Sequence, residues 1–152
     1  MLNFLLGVIS SLVATLIYIV TVKWIVPSFI NKFLYDGITI SGSWDVYELQ
    51  DYKKVKSGRL ELEQKGRIVT GTSIRKVTRD GKESNRKFIY HGSISGHQLT
   101  LMFEDANGKG FDTGSYIFIV ENNLKKMVGR NTFHGKRENE IVSEKRFLVK
   151  AL

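Results

Sequence analysis

Residues Leu2–Val22 run for 21 positions without a charged side chain and are mostly Leu, Ile, Val and Phe. No other feature of the chain restricts its possible folds as strongly. As an α-helix rising about 1.5 Å per residue, the run is about 31 Å long, which matches a bilayer hydrocarbon core of about 30 Å. A helix buried in a globular core is usually shorter. A cleaved secretion signal would begin with basic residues, carry a shorter apolar stretch and end at an A-x-A-like site, and the sequence has none of these. An uncleaved transmembrane helix over residues 1–23 is therefore expected, with Tyr18 and Trp24 as interfacial aromatics. No Lys or Arg precedes the run, whereas Lys23 and Lys32 follow it. The positive-inside rule then puts the C-terminal remainder in the cytoplasm.

One stripe of this helix differs from the rest. Asn3, Gly7, Ser10, Ala14, Ile17 and Thr21 fall at heptad spacing, and five of the six are small or polar. In lipid, small residues let helices approach closely and polar ones bond across the contact. Asn3, Gly7, Ser10, Ala14 and Thr21 are the expected self-association face. A lone anchor that contains Gly and Ser by chance would read the same way. Residues 24–36 form a linker in which Pro27 breaks the helix, and Phe29, Ile30, Phe33 and Leu34 around Lys32 suggest a short interfacial turn.

From Gly37 onward the pattern changes to short alternating runs bounded by turn residues, the mark of strands. Eight are expected: Gly42–Asp51, Arg59–Gln64, Arg67–Arg75, Arg86–Ile94, Gln98–Glu104, Thr113–Val120, Leu124–Phe133 and Ile141–Lys150. Lys65-Gly66, Asp80-Gly81, Ser95-Gly96-His97, Asn107-Gly108, Asn122-Asn123 and His134-Gly135 supply turn chemistry between them. Short turns between successive strands imply antiparallel up-and-down order. No helix after Leu34 is available to cover a flat sheet, so closure is the way to bury a common face without exposed edges. The fold class expected is all-β, a small eight-stranded antiparallel up-and-down β-barrel over residues 37–152, preceded by an N-terminal transmembrane helix. Such a barrel has room for side chains or one small ligand. Glycines inside strands, at Gly71, Gly92, Gly114 and Gly129, either relieve curvature or let a ligand approach the backbone.

Composition removes several kinds of function. With no cysteine there is no disulfide, thiolate metal site or cysteine nucleophile. His91, His97 and His134 lack metal-ligand spacing, so no cofactor or metal is expected. Asp80, Asp105 and Asp112 sit at turns, and no nucleophile–base pair or paired carboxylates stand out, so an enzyme is not expected. The net charge of +8 points to an anionic partner: nucleotide, nucleic acid or lipid surface. Lys53-Lys54 and Lys125-Lys126 read as solvated faces or as headgroup contacts.

Gly42-Ser43-Trp44 opens the first strand and Arg146 lies in the last. This resembles the G-x-W of lipocalin-type barrels, which implies that Trp44 closes the barrel floor with Arg146 packed over it. The whole arrangement, a membrane span joined to a small basic cysteine-free eight-stranded barrel, resembles the membrane-anchored β-barrel effectors of bacterial CBASS anti-phage systems. That resemblance implies a cyclic dinucleotide ligand made by a partner CD-NTase, oligomerisation on binding, and disruption of the inner membrane that kills the infected cell. Members of that group are often described with two spans, whereas this chain offers one clear span.

Two phosphates and two flat bases ask for cationic or hydroxyl donors and for aromatic faces. Thr70, Thr72, Arg75, Tyr90, Tyr116, Arg130 and Thr132 are the candidates. Tyr90 and Tyr116 are the stacking pair, although a strand tyrosine is also an ordinary packing residue. Arg130 carries the most weight, because a charge within a run holding Met127, Val128 and Phe133 needs a partner. Two rivals remain: a membrane-tethered lipocalin-like carrier of a small apolar ligand, and a basic tether that holds nucleic acid near the bilayer, which would bind with steep salt dependence.

Overall fold

A computed structural model describes residues 2–26, 35–50, 52–78, 81–108, 113–135 and 139–151. They divide into two compact units, Met1–Asp36 and Gly37–Leu152.

The first unit is helical. Helix α1 spans Leu2–Val20 and runs on into a π-helical segment, Thr21–Ile25. Within it, Leu6–Ile25 forms a 20-residue stretch with mean hydropathy 2.0 and no buried positions, long and apolar enough to cross a membrane. The Ser10 hydroxyl donates to the Leu6 carbonyl at 2.9 Å and the Thr15 hydroxyl to the Ser11 carbonyl at 2.9 Å. Both protons are thus satisfied within the helix, the usual arrangement when no water is near. A Cβ added at Gly7 would meet nothing within 4 Å. Gly7, Ser10, Ala14 and Ile17 share regular α-helical spacing, but Thr21 begins the wider π turn, so the stripe loses its phase there. The Asn3 side chain, Pro27 and the interfacial turn expected around Lys32 lie outside the described residues.

The second unit is a closed antiparallel barrel in sequence order, as the alternation predicts. Its strands are β1 (Gly42–Gln50), β2 (Lys53–Lys65), β3 (Ile68–Val77), β4 (Glu83–Ser95), β5 (Gln98–Asp105), β6 (Gly114–Val120), β7 (Lys126–Gly135) and β8 (Glu140–Lys150). The β2–β3 and β4–β5 hairpins turn through Gly66 (φ 61°) and Gly96 (φ 56°), a left-handed conformation that tight hairpins need and glycine adopts without strain. Pairing of β1 with β8 closes the sheet. That seam joins Trp44–Glu48 to Arg146–Lys150, five pairs, whereas β7 and β8 share ten.

Period-two alternation puts one face of every strand inside, and the interior divides into two halves along the barrel axis. One half is filled. Trp44, Val69, Ile94, Leu99, Leu101, Phe118, Met127 and Leu148 have relative exposures of 0–1% there. Burial of each aliphatic side chain is worth about 1.5–3 kcal/mol, so this half carries much of the barrel's stability. Trp44 Nε1–H donates to the Ile40 carbonyl at 2.9 Å, and Ile40 itself is fully buried. Gln64 holds the segment before β1 in place: its Oε1 accepts from Ile40 N–H at 2.9 Å, and its Nε2 donates to the Ile38 carbonyl at 3.0 Å. Trp44 therefore lies at a sealed floor, as its G-x-W setting implies. Arg146 does not. The β1–β8 register places Lys150 opposite Trp44, with Lys150 Nζ 5.7 Å from the indole centroid, and it places Arg146 opposite Glu48, two pleat repeats toward the other half.

Close strand approach explains two of the strand glycines. A Cβ at Gly92 would run into the Thr100 carbonyl, and one at Gly129 into the Ile117 carbonyl.

Candidate functional site

The unfilled half of the interior contains a cavity of about 110 Å³ that opens away from the floor. Its lining includes Glu48 from β1, Ser73 and Arg75 from β3, Arg86, Phe88 and Tyr90 from β4, Phe103 from β5, Tyr116 from β6, Asn131 and Phe133 from β7 and Arg146 from β8. These residues continue the same inward parity that supplies the apolar floor: Trp44 leads to Glu48, Val69 to Ser73, Ile94 to Tyr90, Phe118 to Tyr116, Met127 to Asn131, and Leu148 to Arg146. A single inward stripe changes chemistry partway along each strand.

At the centre is a carboxylate between two guanidinium groups. Glu48 is 5% exposed, with Arg75 Nη2 and Arg146 Nη2 each 3.3 Å from its Oε1. Arg146 Nη2 also donates to Glu144 Oε2 at 2.6 Å. Burial works against the Arg146 charge, but Glu48, Tyr116 and Glu144 outweigh it, and the guanidinium holds its proton more tightly than a free one. Removing such charges from water is expensive, and the geometry offsets that only if the remaining polar atoms find partners. Two do not. Arg146 Nε and Asn131 Oδ1 are buried without a hydrogen-bond partner, on residues only 3% exposed. One donor and one acceptor without partners thus lie on cavity-lining residues of adjacent strands.

An aromatic wall faces these groups. Tyr90, Phe103 and Tyr116 have ring centroids 5.2–5.9 Å apart, and Tyr116 stacks on Phe118 at 5.3 Å and 12°. The Tyr90 and Ser73 hydroxyls lie 3.0 Å apart. Burial pushes both tyrosine hydroxyls up, Tyr90 well above the usual 10.0 with the neighbouring Tyr116 adding to the effect. Both are neutral donor–acceptor groups at physiological pH. Toward the mouth, Arg86 Nη2 donates to Asp105 Oδ2 at 2.6 Å and its guanidinium sits 5.3 Å from the Phe88 ring centroid.

Of the seven residues expected to bind ligand, the structure brings Arg75, Tyr90 and Tyr116 together in this cavity. Thr70, Thr72, Arg130 and Thr132 lie on the opposite parity, on the outside of the barrel. Arg130 is exposed and donates to Ser143 Oγ at 3.2 Å, so its charge is solvated rather than buried. The expectation failed because Met127 and Phe133 share the parity of Asn131, not of Arg130. In β3 the outer face carries Ile68 and Ile74, both exposed, which made it resemble a core face. Glu48, Ser73, Asn131 and Phe103 were not anticipated as site residues. Their signal was present in the sequence: each stands an even number of positions from a large apolar residue on its own strand.

The cavity lining can receive an anion at Arg75 and Arg146 and a flat ring along Tyr90 and Tyr116. At about 110 Å³ it falls below the 300–1,000 Å³ typical of pockets that enclose a drug-sized molecule. A larger ligand would insert one moiety and leave the rest at the rim. The chain matches no protein-family model, and no curated protein matches it at a significant level.

Proposed function

We propose that this chain is a membrane-anchored receptor whose barrel binds a cyclic dinucleotide, and that occupancy gathers the anchors and disrupts the inner membrane, the role of a CBASS antiviral effector. The observation that carries this reading is the unused donor of Arg146 and the unused acceptor of Asn131, buried in a cavity lined by arginines and tyrosines. A base edge offers both an acceptor and a donor, a phosphate offers acceptors, and the tyrosine pair offers a stacking face. One base or one phosphate fits the cavity, and Arg86 at the mouth is positioned for the remainder of the ligand. An apolar carrier is less well supported, because the apolar half of the lumen is already filled by side chains and the open half sets charged groups, Glu48, Arg75 and Arg146, against its aromatic wall.

On this reading the bilayer is the first partner, a second copy of the chain the second, and a CD-NTase the source of ligand without direct contact. The barrel lies on the cytoplasmic side of a single-pass anchor. Ligand-driven proximity makes weak helix contacts effective without any new contact energy. Gly7, Ser10 and Ala14 offer the close-packing stripe for those contacts.

Calorimetric titration of the full chain in detergent micelles with a panel of cyclic dinucleotides tests the binding step. Saturable heat that is lost in Arg146→Gln is the expected result. Leakage of dye from liposomes containing the full chain, triggered by the same ligand and weakened in Gly7→Ile, tests the membrane step. Saturation by a fatty acid and by no nucleotide would instead favour the apolar carrier.

A further inference from the structure

We propose that Glu48 is a tethered competitor: its carboxylate occupies the anion position between Arg75 and Arg146, and a phosphate-type anion reaches that clamp only by displacing it. The inference rests on the reading of this cavity as a site for an anionic ligand.

Three observations carry it. Glu48 lines the cavity rather than the packed floor, so its carboxylate stands where a ligand would. Both arginines reach it, Arg75 Nη2 at 3.3 and 3.5 Å to its two oxygens and Arg146 Nη2 at 3.3 Å to one of them. These contacts are longer than the 2.7–2.9 Å of a well-made charge-assisted bond, so the carboxylate fits the clamp loosely. Finally, the clamp keeps a donor that Glu48 does not meet, the buried Nε–H of Arg146. A tetrahedral phosphate carries more acceptor oxygens than a carboxylate, and it can bond both guanidinium groups together with oxygens to spare. A free carboxylate offers the arginines nothing that Glu48 does not already supply at far higher effective concentration. The clamp should therefore discriminate phosphates from carboxylates.

Displacement has a structural route. The β1–β2 pairing shifts register between Val46 and Tyr47, just before Glu48, which gives the end of β1 slack. Glu48–Arg146 is also the last pair of the β1–β8 seam. Among the described residues, Ile141–Lys145 have ladder partners on β7 alone, so no further rung of that seam need break for the carboxylate to withdraw.

The test is titration of the full chain in micelles with inorganic pyrophosphate, with sodium acetate as the carboxylate arm. Glu48→Gln should tighten pyrophosphate binding about tenfold or more, the equivalent of one charge-assisted contact regained, and acetate, without effect on the unaltered chain, should then compete weakly for the vacated clamp. Glu144→Gln removes the same charge from the same guanidinium but vacates no position in the cavity lining, so it should tighten pyrophosphate binding clearly less than Glu48→Gln does. Equal tightening by both variants would mean general electrostatics and would overturn the proposal. If Glu48→Gln does not fold, Glu48→Asp withdraws the carboxylate by one methylene, and it too must bind pyrophosphate more tightly than the unaltered chain. Unchanged affinity in the Glu48 variants, with Arg75-dependent binding in the unaltered chain, overturns the competitor and leaves the receptor reading standing. Absence of binding by pyrophosphate and by every cyclic dinucleotide overturns both. Displacement of pyrophosphate by a cyclic dinucleotide supports a nucleotide source for the phosphate. Displacement only by short-chain phosphatidic acid would keep the Glu48 role and reassign the site to a lipid headgroup.

Discussion

Glu48 on β1 and Arg146 on β8 face each other across the final rung of the seam that closes the barrel, with Arg146 Nη2 3.3 Å from Glu48 Oε1. The pair has two jobs that pull in different directions. It holds the seam, and it holds a charge at the base of an open cavity.

Breaking the pair from one side should be severe. Arg146→Met leaves Glu48 with Arg75 alone and Glu144 without its 2.6 Å partner. The expected loss is about 3 kcal/mol in urea unfolding, within the range for removing one member of a buried ion pair. The double variant Glu48→Leu/Arg146→Met should recover part of that loss, because the more buried of the two carboxylate partners of Arg146, Glu48, is then removed as well, while Glu144 still lacks its partner. Recovery in the cycle is the measurement that separates pair energy from packing.

Trp44→Ala should be as damaging for a different reason. The indole is fully buried and its N–H satisfies the Ile40 carbonyl. Its removal leaves a hole over the floor and a carbonyl without a donor, and about 3–5 kcal/mol of stability should go with it. Thermal unfolding followed by far-ultraviolet dichroism reports the change.

Gly129→Ala tests strand approach. The new methyl would collide with the Ile117 carbonyl and the Phe118 ring, both in the paired strand. Backbone does not yield as a side chain does, so the cost should exceed the roughly 1 kcal/mol of an average point substitution and the melting temperature should fall by several degrees.

Two pH effects have opposite signs. Hydrogen bonding to Lys56, with Arg59 assisting, holds the Asp45 carboxyl below its usual 3.8. Its stabilisation is therefore complete above about pH 4 and is lost as pH falls through the lowered value. Because both partners are well exposed, Asp45→Asn should cost no more than about 1 kcal/mol at pH 7, a difference that vanishes in acid.

Tyr90 and Tyr116 act at the other extreme. Their hydroxyls ionise above the usual 10.0 when folded, because burial disfavours the phenolate. The unfolded chain loses those protons first, so their contribution is intact below pH 10 and declines as pH rises toward the raised values. Absorbance titration should show two of the six tyrosines ionising only as the barrel unfolds.

The barrel was readable from the sequence because its cause is local. Alternation, turn glycines and the absence of a covering helix all act within a few residues, and they predict eight strands in up-and-down order. The site was only partly readable because it depends on which parity faces inward. In β6 and β4 the inward stripe holds aromatics, and Tyr116 and Tyr90 follow from it. In β3 the inward stripe Val69-Gly71-Ser73-Arg75 is weaker in apolar residues than the outer Ile68-Thr70-Thr72-Ile74, and in β7 the inward Met127 and Phe133 are separated by Gly129 and Asn131. There, polar or small residues stand where core residues normally disclose the inner face, so Thr70, Thr72, Arg130 and Thr132 read as inward although they are not. Anchoring the parity at the floor, where Val69 and Met127 are buried, would have corrected both strands. The placement of Arg146 failed differently: it depends on β1–β8 register, a contact between the two ends of the barrel sequence that no local pattern encodes.

The division of the lumen into a packed floor and an unfilled upper half separates what must stay from what is free to vary. Residues that fill the floor and residues that line the cavity occupy the same strands at successive inward positions. On the receptor reading, recognition would accordingly be retargetable: a library confined to Ser73, Phe103, Asn131 and Phe133 alters the cavity lining and leaves the floor residues as they are.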